Sequence, residues 1–172
     1  MVKHEFWMRR ALEEAALSGE DIPVGAIVVK DDRLIAAAHN RREQDEAPFA
    51  HAEMRAMEQA ARVLGTRRLN GCTLYVTLEP CPMCAGAIIM AGVERVVFGA
   101  FDSAYGCCGS LYALPMDSRF NNRAEVIGGV LTRKPDGCSM IFLPPAGPDA
   151  KEIICPTSIA CLAGRTQNPS SY

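Results

Sequence analysis

Apolar positions along the first three-quarters of the chain switch between a helical and an extended period. Met8, Ala11, Leu12, Ala15 and Ala16 fall on one helical face, with Arg9, Arg10, Glu13 and Glu14 between them, and Ser18-Gly19 stops the pattern. Residues 23–30 form a nearly continuous apolar run that reads as a buried strand. Asp31-Asp32 reads as a turn, and residues 33–39 return as the second strand of a hairpin. A polar loop follows over 40–45. Glu53, Met57, Ala60, Ala61 and Leu64 then share one face of a second helix that Gly65 ends. A carboxylate at the head of that stripe is an odd choice for packing alone. Residues 72–78 are a third strand, 82–92 a third helix with Pro82 near its first position, and 95–100 a fourth strand. The loop 102–110 precedes a short helical turn expected at 111–114 and a weaker fifth strand at 124–127. Strands alternating with helices predict an α/β domain over 1–131, its sheet mostly parallel and its helices on both faces. A site in such a sheet belongs at the carboxyl ends of the strands.

Beyond Leu131 the pattern ends. Residues 132–172 hold six of the 11 prolines and three of the eight cysteines, with no sustained helical period. The run Pro144-Pro145-Ala146-Gly147-Pro148 breaks any element, so an extended or disordered tail is expected. Cys138, Cys155 and Cys161 match no standard metal spacing.

At 172 residues, 49% hydrophobic and 22% charged, the chain has the composition of one ordinary globular domain. Its formal net charge of −2 and pI near 5.9 argue against a general nucleic-acid binder, while recognition of one RNA loop through a local patch stays open. The first residues are charged and lead into no apolar signal run, and no stretch approaches membrane-spanning length. Eight cysteines without a secretion signal read as reduced thiols and metal ligands, which points to a cytoplasmic protein.

Two short stretches carry chemistry, His51-Ala52-Glu53 and Pro80-Cys81-Pro82-Met83-Cys84. Cys81 and Cys84, three apart, share a face in the first turn of a helix, where the dipole favours thiolate. His51, Cys81 and Cys84 together make a three-ligand zinc site that leaves a fourth position for water, the arrangement of catalytic zinc. Glu53 is not needed as a ligand and is free to move protons. His51 and Glu53 lie about 200° apart on a regular helix. Both can serve one metal only if His51 sits at or before the first turn. This H-x-E and P-C-x-x-C pair is the known signature of zinc-dependent nucleobase deaminases, present here in full.

With the runs Pro23-Val24-Gly25-Ala26, His39-Asn40-Arg41, residues 77–87, residues 96–100, Gly109-Ser110-Leu111 and Arg123-Ala124-Glu125-Val126, the chain resembles the bacterial tRNA-specific adenosine deaminases of the cytidine deaminase-like superfamily. The likeness spans roughly residues 5–131. It implies a three-layer α/β/α cytidine deaminase-like fold with a five-stranded mixed sheet, and a homodimer. It implies Zn²⁺ on His51, Cys81 and Cys84, Glu53 as proton shuttle, and substrate contacts from Asn40, Ala52, Val24 and Asp102. The implied reaction converts the wobble adenosine of a tRNA anticodon stem-loop to inosine. Met54, Met83, Ile88 and Met90 are candidate dimer contacts. Arg9-Arg10, Arg41-Arg42, Arg67-Arg68 and Arg119 with Arg123 are candidate RNA contacts.

Two departures keep rivals in view. The family commonly carries a lysine between the positions of Asp102 and Gly106; here the residues are Ser103-Ala104-Tyr105, and Phe101 and Tyr105 offer base stacking instead. The family's closing helix with paired phenylalanines has no counterpart after Leu131. One rival is a guanine, cytosine or cytidine deaminase acting on a free base or nucleoside. The other is an inactive zinc-stabilised dimer. The tail itself reads as a frameshifted C-terminus, with a genuine lineage-specific extension as the alternative. The coding DNA separates these two: a second frame just past Leu131 that encodes a helix with paired aromatics and basic residues supports the frameshift, and its absence from every frame removes it.

Overall fold

The structure, a computed structural model, describes residues 2–133 and the pairs 140–141 and 153–154. Most of the Pro-rich tail, including Cys138, Cys155 and Cys161, lies outside the described residues, as does most of the segment on which the frameshift reading rests. What is described of it is backbone pairing. β6 (Thr132–Arg133) pairs antiparallel with β7 (Met140–Ile141), and β7 pairs antiparallel with β8 (Ile153–Ile154).

The main elements follow the hydrophobic pattern closely. They are α1 (Val2–Ala15), β1 (Gly25–Lys30), β2 (Arg33–His39), α2 (Ala52–Leu64), β3 (Cys72–Leu78), α3 (Pro82–Ala91), β4 (Arg95–Ala100) and β5 (Glu125–Ile127). Asp31 and Asp32 both take positive φ, 47° and 57°, which is the two-residue hairpin turn whose twist suits its strands. Gly65 and Gly92 end α2 and α3 in the left-handed conformation, each returning its amide to the last helical carbonyls. One local expectation shifts. The helical turn is at Leu114–Met116, three residues past its expected start, with Pro115 inside it.

The five strands stand in the order β2-β1-β3-β4-β5. The sheet is mixed, which corrects the mostly parallel arrangement that strand–helix alternation suggests. β1 runs antiparallel to both β2 and β3, while β3–β4 and β4–β5 are parallel. The hairpin is the reason: it reverses β1 locally, and α2 then returns the chain to start β3 in the direction of β2.

Both faces of the sheet are covered, so the central strands are apolar on both sides. On one face α1 buries Met8, Ala11 and Leu12 against Ile27, Val29, Tyr75 and Val97. On the other, α2 and α3 bring Ala56, Met57, Ala60 and Ile88 onto Ala26, Val28, Leu74, Val76, Val96 and Phe98. The layers are α, β, α. Ile88 is fully buried in this second core and so cannot serve as a dimer contact, whereas Met90 is 77% exposed.

Gly25 marks the tightest approach between layers. A Cβ there would run into the carbonyl oxygen of Ala11 and the backbone of Ala15. Gly25→Ala should therefore destabilise the fold by about 3 kcal/mol through overpacking. Urea unfolding followed by Trp7 fluorescence measures it, and an unchanged midpoint would contradict the packing described.

Candidate metal centre

Reversal of β1 puts the carboxyl ends of β2, β3, β4 and β5 on one edge of the sheet, together with the start of β1. Each sequence-predicted site residue leaves from that edge. Val24 precedes β1, Asn40 follows β2, His51 opens α2, Cys81 follows β3 and opens α3, and Asp102 follows β4. The Asn40 amide donates to Val24 O at 2.9 Å. The Arg41 amide donates to Ala50 O at 3.1 Å, closing the intervening loop so that Asn40 and His51 stand at one point.

His51 is the N-cap of α2 with extended backbone, φ −68° and ψ 149°, and its side chain makes no capping bond. That is the off-helix placement the His51–Glu53 spacing requires. Its ring turns to the cysteines: Nδ1 lies 3.7 Å from Cys81 Sγ and 3.6 Å from Cys84 Sγ. The three donor atoms all fall within 4.8 Å of one another. Tetrahedral zinc with Zn–S near 2.3 Å and Zn–N near 2.05 Å spaces a nitrogen and a sulfur about 3.6 Å apart. The donor set and its spacing therefore fit zinc, with histidine binding through Nδ1.

Electrostatics agree with a cation-holding site. The Cys81 thiol is drawn down to about 4, first by a hydrogen bond from Cys84 and then by His51 against the effect of burial. The Cys84 thiol moves the opposite way, pushed up by its bond to Cys81 and by burial, and the hydrogen bond to Cys81 raises His51. Glu53 is enclosed in the first turn of α2 beside Cys84. Burial pushes its carboxyl up to about 7, a value at which it can both take and give a proton near neutrality.

The remaining residues divide. Asn40 is 92% buried, its Nδ2 donates to Ile22 O at 3.2 Å, and its Oδ1 has no partner among the described residues, an unusual state for an enclosed amide. Ala52 is fully buried at the start of α2, and Val24 lies at the margin of the second core. Asp102 spends Oδ1 on its own loop, accepting from the amides of Ala104 and Tyr105. Cys107 and Cys108 are buried, and Cys108 packs in the core, in keeping with a packing role.

Glu79 is the buried polar residue that sequence reasoning passed over. It is 2% exposed and accepts from the amides of Asp102, Cys108 and Ser110. The available signal was a carboxylate directly after an apolar strand and two residues before a metal ligand.

Comparisons with known proteins bear on the family of the chain. Residues 1–100 match the model of the cytidine and deoxycytidylate deaminase zinc-binding region. The chain is 49% identical over 144 residues to the tRNA-specific adenosine deaminase of Bacillus subtilis (strain 168), covering 83% of this chain and 89% of that protein. It is 42% identical over 123 residues to the tRNA-specific adenosine deaminase of Aquifex aeolicus, covering 70% and 82%. Among solved structures, one described in work on A-to-I editing by tRNA:A34 deaminases at the wobble position of transfer RNA superimposes with TM-score 0.67 and 38% identity, over 74% of this chain and 92% of that one. A guanine deaminase from Nitrosomonas europaea superimposes with TM-score 0.63 and 29% identity, over 74% and 77%.

The geometry makes a metal prediction. Wild-type protein should carry one zinc per chain, and Cys84→Ala should lose most of it. Elemental analysis of the purified proteins decides, and full retention by the variant would remove Cys84 from the ligand set.

Proposed function

This chain belongs to the cytidine and deoxycytidylate deaminase family and within it to the tRNA-specific adenosine deaminases; on that premise we propose that His51, Cys81 and Cys84 hold its zinc and that Glu53 is its catalytic acid and base. The reaction is hydrolytic deamination of the wobble adenosine of a tRNA anticodon, giving inosine and ammonia. The observation that carries the reading is the convergence of three zinc-type donors within 4.8 Å, beside a buried carboxyl held near neutrality.

When bound, zinc supplies a Lewis acid that brings the pKa of water towards neutrality. Glu53 takes one proton as water attacks C6 of adenine and gives it to the ring nitrogen; it then takes the second proton from the new C6 hydroxyl and gives it to the amino group, which departs as ammonia as the C6 carbonyl forms. Its enclosure serves this cycle, because a solvated carboxylate is too weak a base to take the proton efficiently near neutrality. Asn40 is proposed to orient the nucleoside through the Oδ1 that finds no partner among the described residues. Ala52 and Val24 supply the close apolar wall, and Asp102 the turn that borders the pocket.

Of the four basic clusters, Arg41-Arg42 is the one on the site edge, directly after Asn40. Arg41 is steadied there by Asp45, which also binds Arg55. Ion pairing does not separate the clusters, since Arg10 pairs with Glu13, Arg119 with Asp117 and Arg42 with Glu43; position on the site edge does. Arg41-Arg42 is the proposed phosphate contact. No helix among the described residues is long and apolar enough to cross a membrane. A homodimer is proposed as the working unit, with exposed Met90 and half-buried Met54 and Met83 as contacts.

Three measurements test this reading. Purified protein should convert adenosine to inosine in an anticodon stem-loop RNA and leave guanine, cytosine and cytidine unchanged; turnover of guanine alone would favour the free-base alternative. Glu53→Ala should lower turnover by about 10²–10⁴-fold while zinc stays bound. Near-normal turnover in that variant would remove Glu53 from the mechanism. Light scattering at micromolar concentration should give the mass of a dimer.

A further inference from the structure

Glu79 takes no part in the chemistry above, yet it is the least exposed charged side chain among the described residues. Its two oxygens accept four hydrogen bonds, all from one loop. Oε1 takes the amides of Cys108 at 3.0 Å and Ser110 at 2.9 Å. Oε2 takes the amide of Asp102 at 3.0 Å and the hydroxyl of Ser110. Among the described residues it forms no ion pair. A buried carboxylate is costly unless its lone pairs are filled, and here backbone amides fill them.

The loop is built around this carboxylate. Gly106 sits so close that a Cβ would strike Glu79 Oε2 and the carbonyl of Asp102. The Cys107 amide donates to Pro80 O at 2.9 Å, and the Glu79 amide to Ala100 O at 2.9 Å, so the strand ends are tied as well. The same loop carries Asp102 and presents Tyr105, 66% exposed, on the site edge. Glu79 lies two residues before Cys81. One side chain thus fixes the substrate-side loop to the turn that delivers a metal ligand.

We infer that Glu79 is a positioning residue for RNA: it sets the 102–110 loop at the height where Asp102 and Tyr105 meet the anticodon loop, and so governs substrate binding through the loop. This rests on the tRNA deaminase reading. Glu79→Gln isolates the effect. The carboxamide has the same shape, but its amino group faces at least one donor, leaving that donor buried and unpaired.

The test is steady-state kinetics on an adenosine-containing anticodon stem-loop, with zinc content and amide hydrogen exchange measured on the same preparations. In Glu79→Gln the amides of Cys108 and Ser110 should exchange faster, zinc should stay at the wild-type level, KM should rise about tenfold or more, and kcat should stay within about threefold. A purely structural role would lower the unfolding midpoint without moving KM, and an unchanged KM overturns the inference. Loss of zinc in step with kcat overturns it too, because Glu79 would then act on the metal site. If Glu79→Gln does not fold, Gly106→Ala keeps the carboxylate and displaces the loop; it should raise KM in the same way, and an unchanged KM there counts equally against the inference. Wild-type protein inert on the stem-loop would instead defeat the tRNA reading, an outcome distinct from an active wild type whose variants bind normally.

Discussion

Three ligand atoms from two helix starts fall within 4.8 Å of one another, and the direction of β1 is what permits it. With β1 antiparallel to its two neighbours, β2 and β3 point the same way although only a hairpin and one helix separate them. Their carboxyl ends share an edge, so α2 and α3 begin side by side on one face. Had β1 run parallel to β3, the exits of β2 and β3 would lie at opposite ends of the sheet, some 20 Å apart for strands of this length. The packing of Ala56, Met57, Ala60 and Ile88 against β1, β3 and β4 then sets the two helices side by side on the sheet.

Three buried carboxylates at this edge show how partners decide what a carboxyl does. Asp21 is desolvated, which works to raise it, but the amides of Glu43 and Gln44 more than offset that and leave it below its ordinary value. It anchors the loop that follows Asn40. Glu79 is likewise saturated with donors and anchors the loop that follows β4. Glu53 has burial without that saturation, so its carboxyl rises to about 7. Between Asp21 and Glu53, donor count more than depth sets the direction in which the carboxyl moves.

What the sequence made legible follows from what is local. Gly65 and Gly92 cap helices through their own φ, and the His51–Glu53 spacing places His51 off the helix by geometry alone. The mixed sheet was less legible from alternation, because strand direction depends on the hairpin and helix acting together. The turn at Leu114–Met116 moved because Pro115 and a bridge between Cys108 and Ala113 settle it, and that bridge is a tertiary contact. Glu79 was missed for the same reason: its four donors lie 23 to 31 residues away in sequence, and no short window contains them. Ile88 looked available for a partner until the sheet beneath it was known.

The proposed zinc ligands and Glu53 cannot by themselves choose among nucleobases, since the same centre serves any ring carbon that bears an amino group. The choice must come from what surrounds the base. In this chain the loop after β4 lacks a lysine for phosphate and offers Tyr105 in its place, while Arg41-Arg42 brings positive charge from the opposite side of the site. Such an arrangement suits a substrate long enough to reach both loops. A free base is too small to reach both. On the proposed reading, RNA is held by two loops whose backbones are each tied down by a buried carboxylate, Asp21 for one and Glu79 for the other, with the chemistry at the helix starts between them.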